Sequence, residues 1–370
     1  MHKLLATGVS EPTFTLARQG VFPKIRATRE VTRSRAPLRI SFCGGGTDVS
    51  PYPERYGGCV LSATIERHAY VSIRDFSEDT IRVHSEDTGQ DVVFDPNRPE
   101  ASSGKLDLAQ AIFRRFGASA LDCFMHSDAP PGSGLGSSSA MIVALIGALA
   151  LRNGLHLPAD DIAELAYAIE RDDLGIVGGM QDQYACTFGG FNFIEFGADG
   201  VHVTPLRLSE NAIAELHYHL ILCDTGKTRL SSNIVRDQTD GVVAEDQRVM
   251  ESLASLKEMT IVMKRRMLKG QLMAFGELLD DAWILKQRLS NSISDPSIDE
   301  MYAAAKDAGA VGGKLLGAGG GGHLLFFVPF NRRRAVRERL ELHGGKIVDF
   351  QFDRSGARSW NVPSDYWGPR

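Results

Sequence analysis

Cysteine is scarce in this 370-residue chain. There are five, Cys43, Cys59, Cys123, Cys186 and Cys223, an odd number with no CxxC spacing. A zinc site or a disulfide framework is therefore not expected, and a reducing cytoplasm fits best. No apolar run approaches the roughly 20 residues that cross a bilayer. The opening stretch MHKLLATGVSEPTFTLARQG has one weak apolar patch and no clear cleavage site, so it does not read as a signal peptide. Long basic runs are missing too, and the net charge is -5. Binding to nucleic acid or to an anionic membrane is not expected on those grounds. There is no internal repeat, and no low-complexity tract beyond runs of glycine.

What is present suits an enzyme. Apolar residues make up 43% and charged residues 24%, which is enough for a sizeable core under an ordinary polar surface. The length suits two closely packed lobes. Residues 1–32 mix Arg, Thr and Pro without a sustained period and read as an extension or a poorly ordered arm. From Ser34 the pattern tightens. PLRISFCGGGTD predicts a strand running into a glycine turn. VLSATIERHAYVSIRDF and DTIRVHSED alternate as half-buried strands do. LDLAQAIFRRFG predicts a helix that Gly117 stops. AMIVALIGALAL is apolar all round, the mark of a buried helix. Ile162, Leu165, Ala166 and Ile169 form one helical stripe. GGFNFIEF and HYHLILCD read as strands, residues 237–289 as helical, and Ile298, Met301, Tyr302 and Ala305 as a further amphipathic helix. GGKLLGAGGGGHLLFFV predicts a glycine turn before a strand.

The chemistry gathers in PPGSGLGSSSA, residues 130–140, placed between a strand and the buried helix. Glycines let a ligand approach the backbone closely. Successive N–H groups in such a turn form an anion-binding nest, and the helix start aims its free N–H groups at the same place. The plainer reading is a helix start with Ser137 as N-cap. Capping needs one glycine and one serine, whereas this loop carries three glycines and four serines in positions 132–139. Phosphate binding by Pro131, Gly132, Ser133, Gly134, Leu135, Gly136, Ser137, Ser138 and Ser139 is therefore expected. The loop is not a GxxxxGK[ST] P-loop, since no lysine follows the glycines, and it does not match GxGxxG.

With these residues in place, the chain resembles the GHMP kinase superfamily, which includes galactokinase, homoserine kinase and mevalonate kinase. Three motifs carry the resemblance, in order: RAPLRISFCGGGTD, the glycine-serine loop, and LLGAGGGGHLLFF. GGMQDQYACTFGGFNFIEF and DTGKTRLSSNIV look most like the sugar 1-kinase branch, D-glycero-D-manno-heptose 7-phosphate kinases above all. The resemblance implies an α+β two-lobed fold, with a ribosomal S5-like N-terminal lobe over residues 33–205 and a ferredoxin-like C-terminal lobe over 206–370. It also implies ATP and Mg2+, with a small-molecule sugar or sugar phosphate phosphorylated at its anomeric hydroxyl for bacterial surface-glycan synthesis. A kinase of an unphosphorylated sugar, or a catalytically silent binding protein of the same fold, stays open, as does a homodimer.

The same resemblance assigns roles. Asp182, in GGMQDQY, is expected to orient the attacking hydroxyl and accept its proton. Helix capping by Asp182 is the plainer alternative. Arg39, nine residues before Asp48 as in galactokinase, is expected to hold Asp182 ionised. Glu170, on one helix face with Ala163 and Ala166, matches the metal-binding glutamate, with Ser138 as the second ligand. On the substrate side, Gly45, Gly46, Thr47, Asp48 and Gly179 are expected near the sugar, and Gly319 and Gly320 as a backbone wall. An Asx or ST turn closing the GGG bend is the plainer reading of Thr47 and Asp48. Thr225, Arg229 and Ser231 sit in a loop whose two cations and several hydroxyls suit a substrate phosphate. GGGTD stands where galactokinase has Glu-His before its Thr-Asp, which argues against galactose.

Overall fold

The computed structural model describes residues 30–96, 106–227 and 232–367. The extension expected over residues 1–32 lies almost wholly outside them. Where the described chain begins, Glu30 already opens a strand.

The long alternating segments become the spine of the first sheet. β1 (Glu30–Cys43) and β2 (Gly58–Asp75) pair antiparallel, with a register shift between Pro37 and Leu38 just before Arg39. Ala36, Leu38, Ile40 and Phe42, two residues apart, are all buried. β3 (Ile81–Ser85), β4 (Gln90–Phe94) and β5 (Leu121–Ser127) extend the sheet from one half of β2. β6 (Phe191–Gly197) and β7 (Gly200–Pro205) extend it from the other half. The helix Ser137–Arg152 packs on β1 and β2 and is buried nearly all round, as its apolar composition requires. Its N-terminus is thereby fixed beside the middle of β1.

The second sheet is antiparallel and has the order β11-β8-β10-β9, from β8 (Leu220–Asp224), β9 (Gly312–Leu315), β10 (His323–Phe327) and β11 (Lys346–Val348). The helix Leu272–Gln287 lies against β9. Phe42 of β1 and Phe275 of that helix meet edge to face, with ring centroids 5.3 Å apart. One continuous hydrophobic core therefore runs through both lobes. Among the described residues no helix is long and apolar enough to cross a membrane.

Two expectations need correction. HYHLILCD is not all strand, because His217–His219 end a helix, Glu210–His219. Ser209 starts that helix by accepting the Ala212 N–H at 3.2 Å, and the aromatic HYH triplet masked its period. Residues 206–370 also do not all belong to the second lobe. β12 (Phe352–Asp353) pairs with β2 and β13 (Arg358–Pro363) with β1. A buried contact of 2.9 Å between His68 Nε2 and Asp353 Oδ2 fastens this return. A histidine and an aspartate 285 positions apart give no local pattern to read.

Candidate active site

Arg39 and Asp182 form an ion pair in the cleft. Arg39 is 3% exposed, and its own N–H donates to the Leu135 carbonyl at 2.9 Å. Its Nε and Nη2 donate to Asp182 Oδ1 and Oδ2 at 2.7 and 2.8 Å, a two-pronged ionic bond. Nη1 donates to the carbonyl of Gly134. Asp182 lies in the first turn of the helix Gln181–Phe188, where free N–H groups favour a carboxylate. Its side chain remains 26% exposed and reaches the cavity. One expected sugar-kinase pair is thus brought together, and one side of the aspartate is left open.

The glycine-serine loop wraps the same space. Gly136, not Ser137, occupies the N-cap position, with a left-handed φ of 79° and no side-chain bond. A side chain at Gly136 would crowd Arg39 and Asp182, its Cβ lying 3.3 Å from Arg39 Cγ. The Ser137 hydroxyl is spent on Ser133, 2.9 Å away, which is why it does not cap. Gly134 is backed by Gly317 of the third glycine turn, where an added Cβ would come within 2.7 Å of Gly134 Cα. No residue larger than glycine allows two backbones so close. Two members of the expected loop set do not face the ligand space. The Leu135 side chain is fully buried in the core, and the exposed Pro131 lies off the cavity wall.

Glu170 supplies the second carboxylate. The α-helix Ala159–Ala168 gives way to a π-helical turn, Ile169–Asp173, so Glu170 does not continue the α-helical face of Ala163 and Ala166. Its oxygens accept from Ser138 Oγ at 3.4 Å, from Ser139 Oγ at 3.1 Å, and from Gln183 Nε2. Burial pushes its carboxyl pKa up, partly offset by Arg171, Gln183 and Ser139. A buried carboxylate beside a cavity-facing hydroxyl is an all-oxygen donor set of the kind magnesium takes. No group of three or more His, Cys, Asp or Glu suited to a metal occurs among the described residues, so the remaining ligands would be phosphate oxygens and water.

Asp48 is buried and ties its own glycine turn to the segment at Gln181. Its Oδ1 accepts from Gly46 N–H at 2.9 Å, and its Oδ2 from the N–H and Nε2 of Gln181, both at 3.1 Å. Gly46, Asp48, Gly179 and Gly319 all line the cavity, about 220 Å³ in volume, together with Arg39, Asp182, Glu170 and the loop. Thr47 does not. It is fully buried, its hydroxyl 2.8 Å from the Gly44 carbonyl and 3.0 Å from the Cys59 carbonyl while accepting the Cys59 N–H at 3.0 Å, so it staples the turn. Thr225 is likewise engaged, donating to the Gly322 carbonyl at 2.8 Å. Gly45 and Gly320 stand just behind the wall; the Gly320 N–H donates to the Ile293 carbonyl at 2.8 Å. Arg229 and Ser231 lie outside the described residues.

Several lining residues were not legible as functional. Gln181, Gln238, Arg171 and Lys286 all face the cavity. Lys286 continues the buried helix stripe of Phe275, Leu279 and Ala282. Burial pushes its pKa down to about 8, with Asp48 opposing. Lys314, buried in β9, is pushed to about 7 by burial and by Lys286, and donates to the Ser41 carbonyl at 2.8 Å. His323 does not line the cavity; its Nδ1 sits 2.7 Å from the Ser133 carbonyl.

A cavity built this way suits phosphoryl transfer, in which the protein contributes position and charge. Residues 105–190 match the N-terminal domain of the GHMP kinases and residues 263–346 the C-terminal domain. The D-glycero-alpha-D-manno-heptose 7-phosphate kinase of Campylobacter jejuni is 36% identical over 337 residues, covering 89% of this chain and 99% of that protein. The solved structure of a D-glycero-D-manno-heptose 1-phosphate kinase from Bacteroides thetaiotaomicron matches with a TM-score of 0.75 and 32% identity, covering 90% of this chain and 99% of that one. Lactococcus lactis galactokinase, solved with galactose, shares the fold with a TM-score of 0.71 at 21% identity, covering 90% of this chain and 95% of that one. The chain belongs to the GHMP kinases.

Proposed function

We propose that this ATP-dependent sugar kinase phosphorylates the anomeric hydroxyl of a sugar phosphate, converting D-glycero-D-manno-heptose 7-phosphate to the 1,7-bisphosphate on the way to an activated heptose. The observation that carries the reading is Asp182, held on both oxygens by Arg39 yet open to a cavity bounded by the glycine-serine loop and Asp48. The name of the Campylobacter jejuni relative supports the substrate.

In this reading Asp182 takes the proton of the anomeric hydroxyl as its oxygen bonds to the γ-phosphorus. The bond to the bridging oxygen breaks, and ADP leaves. Arg39 keeps Asp182 ionised and aimed, and also fixes the loop through the Gly134 carbonyl. The loop N–H groups and the Ser138 hydroxyl receive the phosphates. Glu170 and Ser138 would hold Mg2+, which when bound neutralises phosphate charge. Five free, buried cysteines support a reducing, cytoplasmic setting.

One observation favours a second reading, a kinase of an unphosphorylated sugar. In the loop expected to take the substrate phosphate, Thr225 is bonded to Gly322 and Lys227 Nζ is paired with Asp295 at 3.1 Å. The test is a coupled ADP-release screen over heptoses and hexoses with and without a terminal phosphate, with phosphorus NMR of the product. Turnover of heptose 7-phosphate with a new anomeric phosphate is expected. Preference for the free sugar, or a new phosphate elsewhere, overturns the reading.

A further inference from the structure

Lys286 arrives from the last turn of the helix Leu272–Gln287, in the second lobe, and is 5% exposed. Its one protein hydrogen bond among the described residues is donated to the carbonyl of Gly317. Arg39 makes the same kind of bond to Gly134, and Gly134 and Gly317 are packed backbone to backbone. Two buried cations thus hold the two glycine turns from opposite sides. Arg39 spends its remaining donors on Asp182. Lys286 keeps donors for the cavity it lines.

Its neighbours point to the acceptor rather than the nucleotide. A Cβ at Gly45 would lie 3.6 Å from Lys286 Nζ and 3.3 Å from Gln181 Nε2, so the ammonium stands against the first glycine turn. The charged and titratable groups that act on it are Asp48 of that turn, Arg39 and Cys43 of β1, Asp182 of the helix Gln181–Phe188, and Lys314 of β9. The Oε1 of Gln181 and the Oγ of Ser41 are buried there without a hydrogen-bond partner. An ammonium donor beside two carboxylates is a set that polyhydroxyl groups satisfy, since each hydroxyl both gives and accepts a hydrogen bond.

We propose that Lys286 is a specificity-determining residue of the acceptor site, its ammonium donating to an oxygen of the sugar bound between Asp48 and Asp182. The inference rests on the sugar-kinase reading above. A charge-assisted bond in a buried site is worth about 10- to 100-fold in affinity. Since burial pushes the Lys286 pKa down to about 8, the charged donor is present at neutral pH and lost as pH rises through that value.

The test uses wild-type enzyme, Lys286→Met and Lys286→Gln, the last keeping a donor for Gly317. Calorimetric binding of heptose 7-phosphate without nucleotide, binding of ADP, and KM for each substrate are measured. Both variants are expected to weaken sugar binding about 10-fold or more while changing ADP affinity less than about 3-fold. In wild-type enzyme, sugar affinity should fall about 10-fold between pH 7 and 9 with ADP affinity steady. That measurement decides the matter if neither variant folds. Sugar affinity and KM unchanged in a folded variant, or a flat wild-type profile, overturn the role of Lys286. Absence of wild-type turnover of any sugar overturns the substrate reading along with it.

Discussion

Arg39 and Asp182, 143 positions apart, are joined by two nearly equal bonds of 2.7 and 2.8 Å, so the carboxylate has no freedom to turn. In the proposed reading, a base held this way needs only the acceptor to arrive. Asp182→Asn keeps the size of the side chain but removes the proton acceptor, and its NH2 cannot accept one of the two Arg39 bonds. Turnover should fall by about 10²- to 10⁴-fold while ATP affinity changes less than about 3-fold, read by ADP release and by nucleotide titration. Near-normal turnover would dismiss Asp182 as the base.

Glu170 predicts an effect on stability as well as on catalysis. Burial raises its folded pKa above the ordinary carboxylate value of about 4.3, so the charged form is disfavoured in the fold. The stability it contributes is present at low pH and lost as pH rises through the raised value. Glu170→Gln should therefore raise the melting temperature of metal-free protein at pH 7, with the gain vanishing on acidification. The same variant should need about 10-fold or more Mg2+ for half-maximal rate. Unchanged magnesium dependence would remove Glu170 from the metal site.

Thr47 and Asp48 are adjacent, yet their substitutions should separate cleanly. Thr47→Val strips a buried hydroxyl from three backbone groups, and should cost about 1–3 kcal/mol of stability with sugar KM within about 2-fold. Asp48→Asn should raise sugar KM about 10-fold or more. Denaturant unfolding and initial rates distinguish the two; matching kinetic profiles would contradict the division.

Asp353 carries the return of the chain to the first lobe. Its carboxyl works against burial, but His68 and the Ser355 N–H, which donates at 2.6 Å, hold its pKa down to about 2. Because the folded value is depressed, its stabilisation is full above about pH 4 and lost as pH falls towards 2. Asp353→Asn should destabilise the protein by roughly 3 kcal/mol at neutral pH, and by much less near pH 2. A flat difference across that range in urea unfolding would refute it.

The features legible in the sequence were those with local signals. The glycine-serine loop, the apolar helix behind it and the alternating strands each carry their period or their composition in consecutive residues. Thr47 and Thr225 read equally as ligand groups or turn staples in the sequence, because a hydroxyl beside glycine looks the same whether it faces a cavity or closes a turn. Lys286 and Lys314 were missed for the opposite reason: a lysine amid apolar residues reads as a surface cation until tertiary packing buries it. The tail strand β13 has only an exposed alternation, and nothing local says that its partner is β1, more than three hundred residues earlier.

That distant pairing orders events during synthesis. β1, which carries Arg39, has β2 on one side and β13 on the other. Until residues 358–363 emerge from the ribosome, the Glu30–Arg35 part of β1 is a bare edge on that side, open to wrong partners. The catalytic lobe is the first to be translated and among the last to be closed. A message cut short before β13 would yield a chain with every reactive side chain and no finished sheet to hold them.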